Sequence, residues 1–276
     1  MNNRIKKCYP ESIKVDDYIS RIEILLNEYR FINFNTIAMM NICRDESTNG
    51  LQEMIEQIFG ISFKMTGLGG VITCGKTGLM AGLSHAPISN ELNTREKYLF
   101  FSYPHIAIHP TCIENNGLGM VMRSGQLNPS FACGALVKCL NELKIEGIEC
   151  NIKTAGVHEP DDVEYSILKQ RLARIIHKKN IDINKVDISL FTLLAEEQIT
   201  NDLEILISKT VDISKADYAV FTGIQIHSWD NPDNYWTNEY ILPKTSYIVI
   251  NGDRYNLDVN NVKKLSYRQL SKLFIK

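Results

Sequence analysis

"TIAMMNICRDE", residues 36–46, decides how this 276-residue chain is read. An apolar run from Ile37 to Ile42 stops abruptly at Cys43-Arg44-Asp45-Glu46. A short run of this kind reads as a buried strand. Its tip delivers a thiol, a guanidinium and two carboxylates to one place. Open α/β sheets bind ligands at the carboxyl ends of their strands, so the tip is a candidate site as well as a solvated turn.

Working outward, helical and extended patterns alternate. Val15, Tyr18, Ile19, Ile22, Leu25, Leu26 and Tyr29 form one stripe at helical spacing. "GLQEMIEQIFG" predicts a short helix closed by Gly60. "ISFKM" predicts a strand, followed by the glycine-dense "TGLGGVITCGKTG" and a helical turn or two in "LMAGLSHA". "KYLFFSYPHIAIHP" predicts a second apolar strand, and a helix starts at Cys133-Gly134. "PDDVEYSILKQRLARIIHKK" and "DISLFTLLAEEQITNDLEILIS" predict two long helices, the first with Pro160 and two aspartates in its opening turn. Strands in "DYAVFTGIQIHSW" and "TSYIVIN" and a terminal helix around "SYRQLSKLF" complete the chain. Interleaved strands and helices predict an α/β fold, a mostly parallel central sheet flanked by helices. One domain over 1–276, with an N-terminal helical segment to about residue 32, is the expected organisation.

Composition narrows the function classes. Thirty Lys and Arg against 32 Asp and Glu give a formal charge of -2, which offers nucleic acid or an anionic membrane no electrostatic hold. The N-terminus lacks the apolar core of a signal peptide, and the apolar runs fall short of a membrane span. The expected compartment is the cytoplasm. Seven scattered cysteines, an odd number, point to reduced thiols rather than a disulfide framework.

Two motifs carry chemistry. "GVITCGKT", Gly70 to Thr77, satisfies the phosphate-loop pattern, which would make the chain a nucleotide binder. Its context is wrong, however. Val-Ile-Thr-Cys favours extended chain, no strand immediately precedes it, and Pro87 stops the helix that should follow. The second signal is a scatter of soft metal ligands. His105 and His109 point the same way on an extended "HIAIH", with Cys112 nearby, which makes one candidate cluster. The bland alternative has one histidine capping a strand end and the other at the surface. Cys43 and His105 both fall at strand ends, and Cys133 falls at a helix N-terminus, where partial positive charge favours a thiolate. A Cys43-His105-Cys133 zinc site would explain the thiol at the tip of "NIC" and would give Asp45 a zinc-bound water to orient.

The ordered motifs "NICRDE", "TGLGGVITCGKTGLMAGLSHAP", "FFSYPHIAIHP", "FACGALV", "DDVEYSILKQRLARII" and "FTGIQIH" resemble the limiting-carbon-dioxide-inducible protein B/C family, over roughly residues 15 to 250. That family's fold and site are similar to those of the beta-carbonic anhydrases. The resemblance implies Zn2+ held by Cys43, His105 and Cys133. It also implies reversible hydration of CO2 to bicarbonate by zinc-bound hydroxide, and a homodimer. Beta-carbonic anhydrases carry Asp two and Arg four residues after the first cysteine. Asp45 keeps the first place, but Ser47 stands at the second. The arginine partner must then be Arg44 or Arg123. His85 and His109 are candidate proton-relay groups, and Phe63, Met65 or Leu68 candidate walls for CO2. The rival of a different class is a catalytically silent zinc-binding interaction protein of the same fold.

Overall fold

Side-chain alternation along "TIAMMNI" sends Ile37 and Met39 into one core and Ala38, Met40 and Ile42 into another, so this strand is buried on both faces. The computed structural model of the chain describes residues 3–87, 95–154, 156–229 and 239–262. The first half contains α1 (Asn3–Cys8), β1 (Ile13–Lys14), α2 (Val15–Glu28), β2 (Thr36–Ile42), α3 (Asn49–Phe59), β3 (Phe63–Lys64) and α4 (Gly75–Leu83). β4 (Glu96–Tyr103), β5 (His105–Ala107), β6 (Met120–Val121), β7 (Ser130–Phe131), α5 (Gly134–Glu146) and α6 (Ile148–Lys153) follow. The chain continues with α7 (Val163–Lys178), α8 (Ile188–Thr210), β8 (Ala216–His227), β9 (Glu239–Ile250) and β10 (Asp253–Asn256).

The main sheet runs β1-β9-β8-β4-β2-β3, with β10 also on β9 and β5 on β8. Neighbours among β3, β2, β4 and β8 are parallel, whereas β9 is antiparallel to β8 and carries β1 and β10 antiparallel to itself. The fold is thus α/β with a mostly parallel centre, as the pattern predicts. Helices α4, α5, α7 and α8 cover one face through residues such as Leu79, Leu136, Leu172 and Phe191. Helices α2 and α3 cover the other through Tyr18, Ile22, Leu51 and Ile55. Burying each large aliphatic or aromatic chain contributes about 1.5–3 kcal/mol, so two such layers lock the strand ends in place.

Several elements differ from their predicted form. "KYLFFSYPHIAIHP" is two strands, because Pro104 has no N–H to donate and breaks the ladder between β4 and β5. The helix predicted from Pro160 begins at Val163; Asp162 is its N-cap, so the proline and both aspartates precede it. "TSYIVIN" is only the later part of β9, which starts at Glu239. β1 interrupts the helical N-terminal segment. The terminal helix around residues 266–274 lies outside the described residues. Gly60 closes α3 with φ 83°, a left-handed value that favours glycine. Among the described residues, no helix is long and apolar enough to cross a membrane.

Candidate metal centre

β2 ends at Ile42, and Cys43 makes one more parallel bridge, to Gly67. The chain then turns: the Thr48 hydroxyl bonds the Cys43 carbonyl at 2.9 Å, and Asp45 caps the short turn Glu46–Thr48 that leads into α3. Pro104 ends β4 and puts His105 at the start of β5. Cys133 is the N-cap of α5. Three separate chain endings therefore converge. The Cys43 and Cys133 sulfurs stand 3.6 Å apart, and the donor atoms of Cys43, His105 and Cys133 all lie within 4.8 Å of one another. Among the described residues this is the only group of three or more His, Cys, Asp or Glu so gathered. All three are buried, and His105 Nε2 has no hydrogen-bond partner. An orphaned imidazole nitrogen facing two thiols is the donor set of a soft-ligand metal site.

Two thiols this close and this dry cannot both ionise freely. The hydrogen bond from Cys133, aided by His105 against burial, holds Cys43 well below the ordinary thiol range. Cys133 is pushed well above it, by that same contact with Cys43 and by burial. Holding both as thiolates therefore takes a cation. His105 loses by burial but gains more from Cys43 and Asp45, so its pKa is raised.

Asp45 is held from several sides. Its Oδ1 accepts the Ser47 amide at 3.1 Å and the Ser47 hydroxyl at 2.6 Å, and its Oδ2 accepts Arg123 Nη2 at 2.7 Å. Oδ2 is 4.0 Å from His105 Nε2. Burial raises its pKa, but His105, the Ser47 bonds and Arg123 prevail, and it titrates below the ordinary aspartate value. Arg123 also bonds Glu46, Ser130 Oγ and the Phe131 carbonyl, so the hairpin of β6 and β7 fixes it. Arg44 instead points away from Asp45 and pairs with Glu164 at 2.9 and 3.2 Å.

The remaining expected residues fall elsewhere. His109 uses Nδ1 to accept the Thr111 and Cys112 amides, so it caps a turn and does not join His105 and Cys112 around a metal. His85 lies against the Phe63 ring, and Phe63 pairs with Met39, four residues below Cys43 on the sheet. Neither reaches the site. Met65 is buried beside β2, its amide bonded to the Met40 carbonyl. A cavity of about 540 Å³ is lined by Glu46, Ser47, Met122, Arg123 and Trp229, among others; Ser47 and Arg123, which hold the Asp45 carboxylate, are in its wall, while Asp45 and the three converging side chains are not. The phosphate-loop segment makes no cradle either: Val71 and Ile72 are core residues, and β3 ends at Lys64, well before Gly70.

Two side chains with no assigned role complete the site. His227, at the end of β8, faces His105 at 3.0 Å and Glu239 at 3.0 Å. Their signal was present in "FTGIQIH", a histidine at a strand end, but its carboxylate partner depends on the β8–β9 register, which pairs His227 with Glu239.

The glycine passage has its own geometric task. The Gly69 amide donates to Cys43 Sγ at 3.2 Å. A Cβ at Gly67 would sit 2.1 Å from the Val71 carbonyl oxygen, so only glycine fits the turn that brings this amide in. Gly67→Ala is expected to cost about 1–3 kcal/mol of stability, read from the urea midpoint, because backbone must move to relieve the contact. An unchanged midpoint would mean the turn is looser than it stands.

A family model described as limiting CO2-inducible proteins B/C beta carbonic anhydrases matches residues 12–250. A crystal structure of limiting CO2-inducible protein LCIB is 42% identical, with a TM-score of 0.75 over 93% of this chain and 98% of that one. A crystal structure of PtLCIB4, a homolog of that protein, shares the fold at 17% identity and a TM-score of 0.72, over 91% of this chain and 97% of that one. No curated protein matches the chain. With a match over most of its length and this degree of identity to a solved member, the chain belongs to the limiting CO2-inducible protein B/C family of beta carbonic anhydrases.

Proposed function

We propose that this protein is a zinc-dependent carbonic anhydrase that hydrates CO2 reversibly to bicarbonate. The observation that carries the reading is the convergence of two thiols and an orphaned imidazole nitrogen beside an aspartate held by Arg123. The Cys43 and Cys133 sulfurs, 3.6 Å apart, are close enough for one ion to take both as ligands. Cys43, His105 and Cys133 would hold the ion. When bound, it supplies a Lewis acid that lowers the pKa of water to about 7.

The rest is the work of the chain. Asp45, ionised, presents a hydrogen-bond acceptor to the attacking water and so aims its lone pair at the carbon of CO2. Ser47 and Arg123 occupy the other directions around the carboxylate, which keeps it in one orientation. Arg123 places positive charge where bicarbonate oxygens collect, and Met122 and Trp229 give the cavity the apolar wall that uncharged CO2 requires. Catalytic silence would follow if Asp45 turned onto the metal itself. Its hydrogen bonds to Ser47 and Arg123 oppose that movement and favour the active reading.

Stopped-flow CO2 hydration, on protein assayed for zinc and from about pH 6.5 to about 9, tests this directly. Turnover that scales with zinc content is expected. Full zinc with no turnover at any pH would transfer the assignment to the silent binding protein. Light scattering on the same sample is expected to give the mass of two chains, and a monomer would remove the homodimer from the reading.

A further inference from the structure

We propose that His227 and Glu239 are positioning residues that hold His105 in the one tautomer able to bind a metal, with its Nε2 lone pair turned towards the two thiols. This rests on the metal reading of the site. It concerns two residues one step behind the ligands, and it follows from where the protons can sit.

The Glu239 carboxylate is buried, and both of its oxygens are engaged. Oε1 is 3.0 Å from His227 Nδ1, and Oε2 accepts Gln225 Nε2 at 3.0 Å. A carboxylate only accepts, so His227 carries its proton on Nδ1. A neutral His227 then has a bare Nε2 that must receive a hydrogen bond. Among the described residues, the hydrogen-bond partners it has are Ser47 Oγ at 3.2 Å and His105 Nδ1 at 3.0 Å. The serine hydroxyl has one proton, and its 2.6 Å bond to Asp45 Oδ1 takes it. Of these two, His105 Nδ1 is the remaining donor. With its proton on Nδ1, a neutral His105 leaves Nε2 bare; Nε2 is buried and has no hydrogen-bond partner, on a residue whose donor atom lies within 4.8 Å of the Cys43 and Cys133 sulfurs.

The chain Glu239–His227–His105 is thus a directed series of donors. It lengthens by one imidazole the carboxylate–histidine–metal arrangement by which outer partners fix a ligand's tautomer. β8 supplies His227 and β9 supplies Glu239 as cross-strand neighbours. β5, parallel to β8, brings His105 alongside Gln225, two residues before His227. Reversing the carboxylate's role reverses the series. An amide at position 239 can donate to His227 Nδ1, which moves the proton to Nε2 of His227 and then to Nε2 of His105, the metal-facing atom.

Two measurements test the proposal without using turnover. In zinc-loaded wild-type protein, the imidazole 15N shifts are expected to show the proton of His105 on Nδ1 and the proton of His227 on Nδ1. Zinc affinity, by competition with a chromophoric chelator, is expected to fall about 10–100-fold in His227→Leu and in Glu239→Gln. His227→Gln, which keeps an acceptor for His105 Nδ1, is expected to recover most of that loss. Circular dichroism and thermal melting of the metal-free variants separate a folding defect from a ligand defect, and the wild-type shifts stand even if a variant fails to fold. His227 protonated on Nε2 in the zinc-loaded wild type, or unchanged affinity in both folded variants, would overturn the proposal. Wild-type protein that binds no zinc would overturn the metal reading beneath it, a distinct outcome.

Discussion

Cys133→Ser and Cys43→Ser are each expected to lose the metal and CO2 hydration together, and no other single substitutions should have a larger effect. The reason is the chemistry of the donor set. Each cysteine supplies a sulfur that ionises far more readily than a serine hydroxyl, and three protein ligands leave no spare. Removing an outer partner of a metal ligand costs about 10–100-fold in affinity, so removing a ligand exceeds that range. Cys43→Ser carries a second penalty, since the Gly69 amide loses the sulfur it faces at 3.2 Å. Both thiols are buried, at 4% and 2% exposure, so no water can take over without opening the core. Cys112→Ser is the control: that thiol is half-buried and lies outside the converging group, so zinc and turnover are expected to stay as in the wild type. Metal-to-protein ratios after dialysis against a weak chelator are the measurement. One zinc per chain in Cys43→Ser, with loss in Cys112→Ser, would move the site to His105, His109 and Cys112.

What the sequence could and could not reveal follows from how far each residue's position depends on long-range packing. Cys43, His105 and Cys133 were legible because each sits where a local pattern ends: an apolar run, a proline-broken strand, a helix start. Endings of parallel strands gather at one edge whatever the loops between them do. Asp45 was legible through its two-residue offset from Cys43. Which arginine faces it was not. Arg44 is its sequence neighbour, yet the turn into Glu46–Thr48 swings Arg44 out to Glu164, while Arg123 arrives from a hairpin 78 positions away. The Glu239–His227 pair depends on strand register, and the early residues of β9 read poorly because Glu239 and Pro243 interrupt an otherwise apolar "YIL". The phosphate-loop pattern misleads for the converse reason. Eight residues can match a motif while Val71 and Ile72 among them are core.

Asp45→Asn is expected to keep zinc and lose about 100- to 1,000-fold in kcat, the scale on which removing one preorganised polar group acts. Asparagine preserves the volume but not the charge, and half of its end is a donor. That donor must face either Arg123 or the Ser47 amide and hydroxyl, all of which already donate to the carboxylate. The variant therefore loses both the acceptor that orients the attacking water and the fixed orientation of the side chain itself. Arg123→Ala removes one of those restraints and the positive charge beside the cavity, and it is expected to lose activity in the same direction but less steeply. The contrast with Arg44→Ala decides between the two arginines. The Arg44 side chain is 56% exposed and its pair with Glu164 is worth at most about 0–1 kcal/mol, so turnover and zinc content are expected to be unchanged. The reading requires that order: severe for Asp45→Asn, intermediate for Arg123→Ala, none for Arg44→Ala. Wild-type turnover in zinc-replete Asp45→Asn would remove the orienting role, and a large loss in Arg44→Ala with none in Arg123→Ala would show that the loop rearranges when the enzyme works.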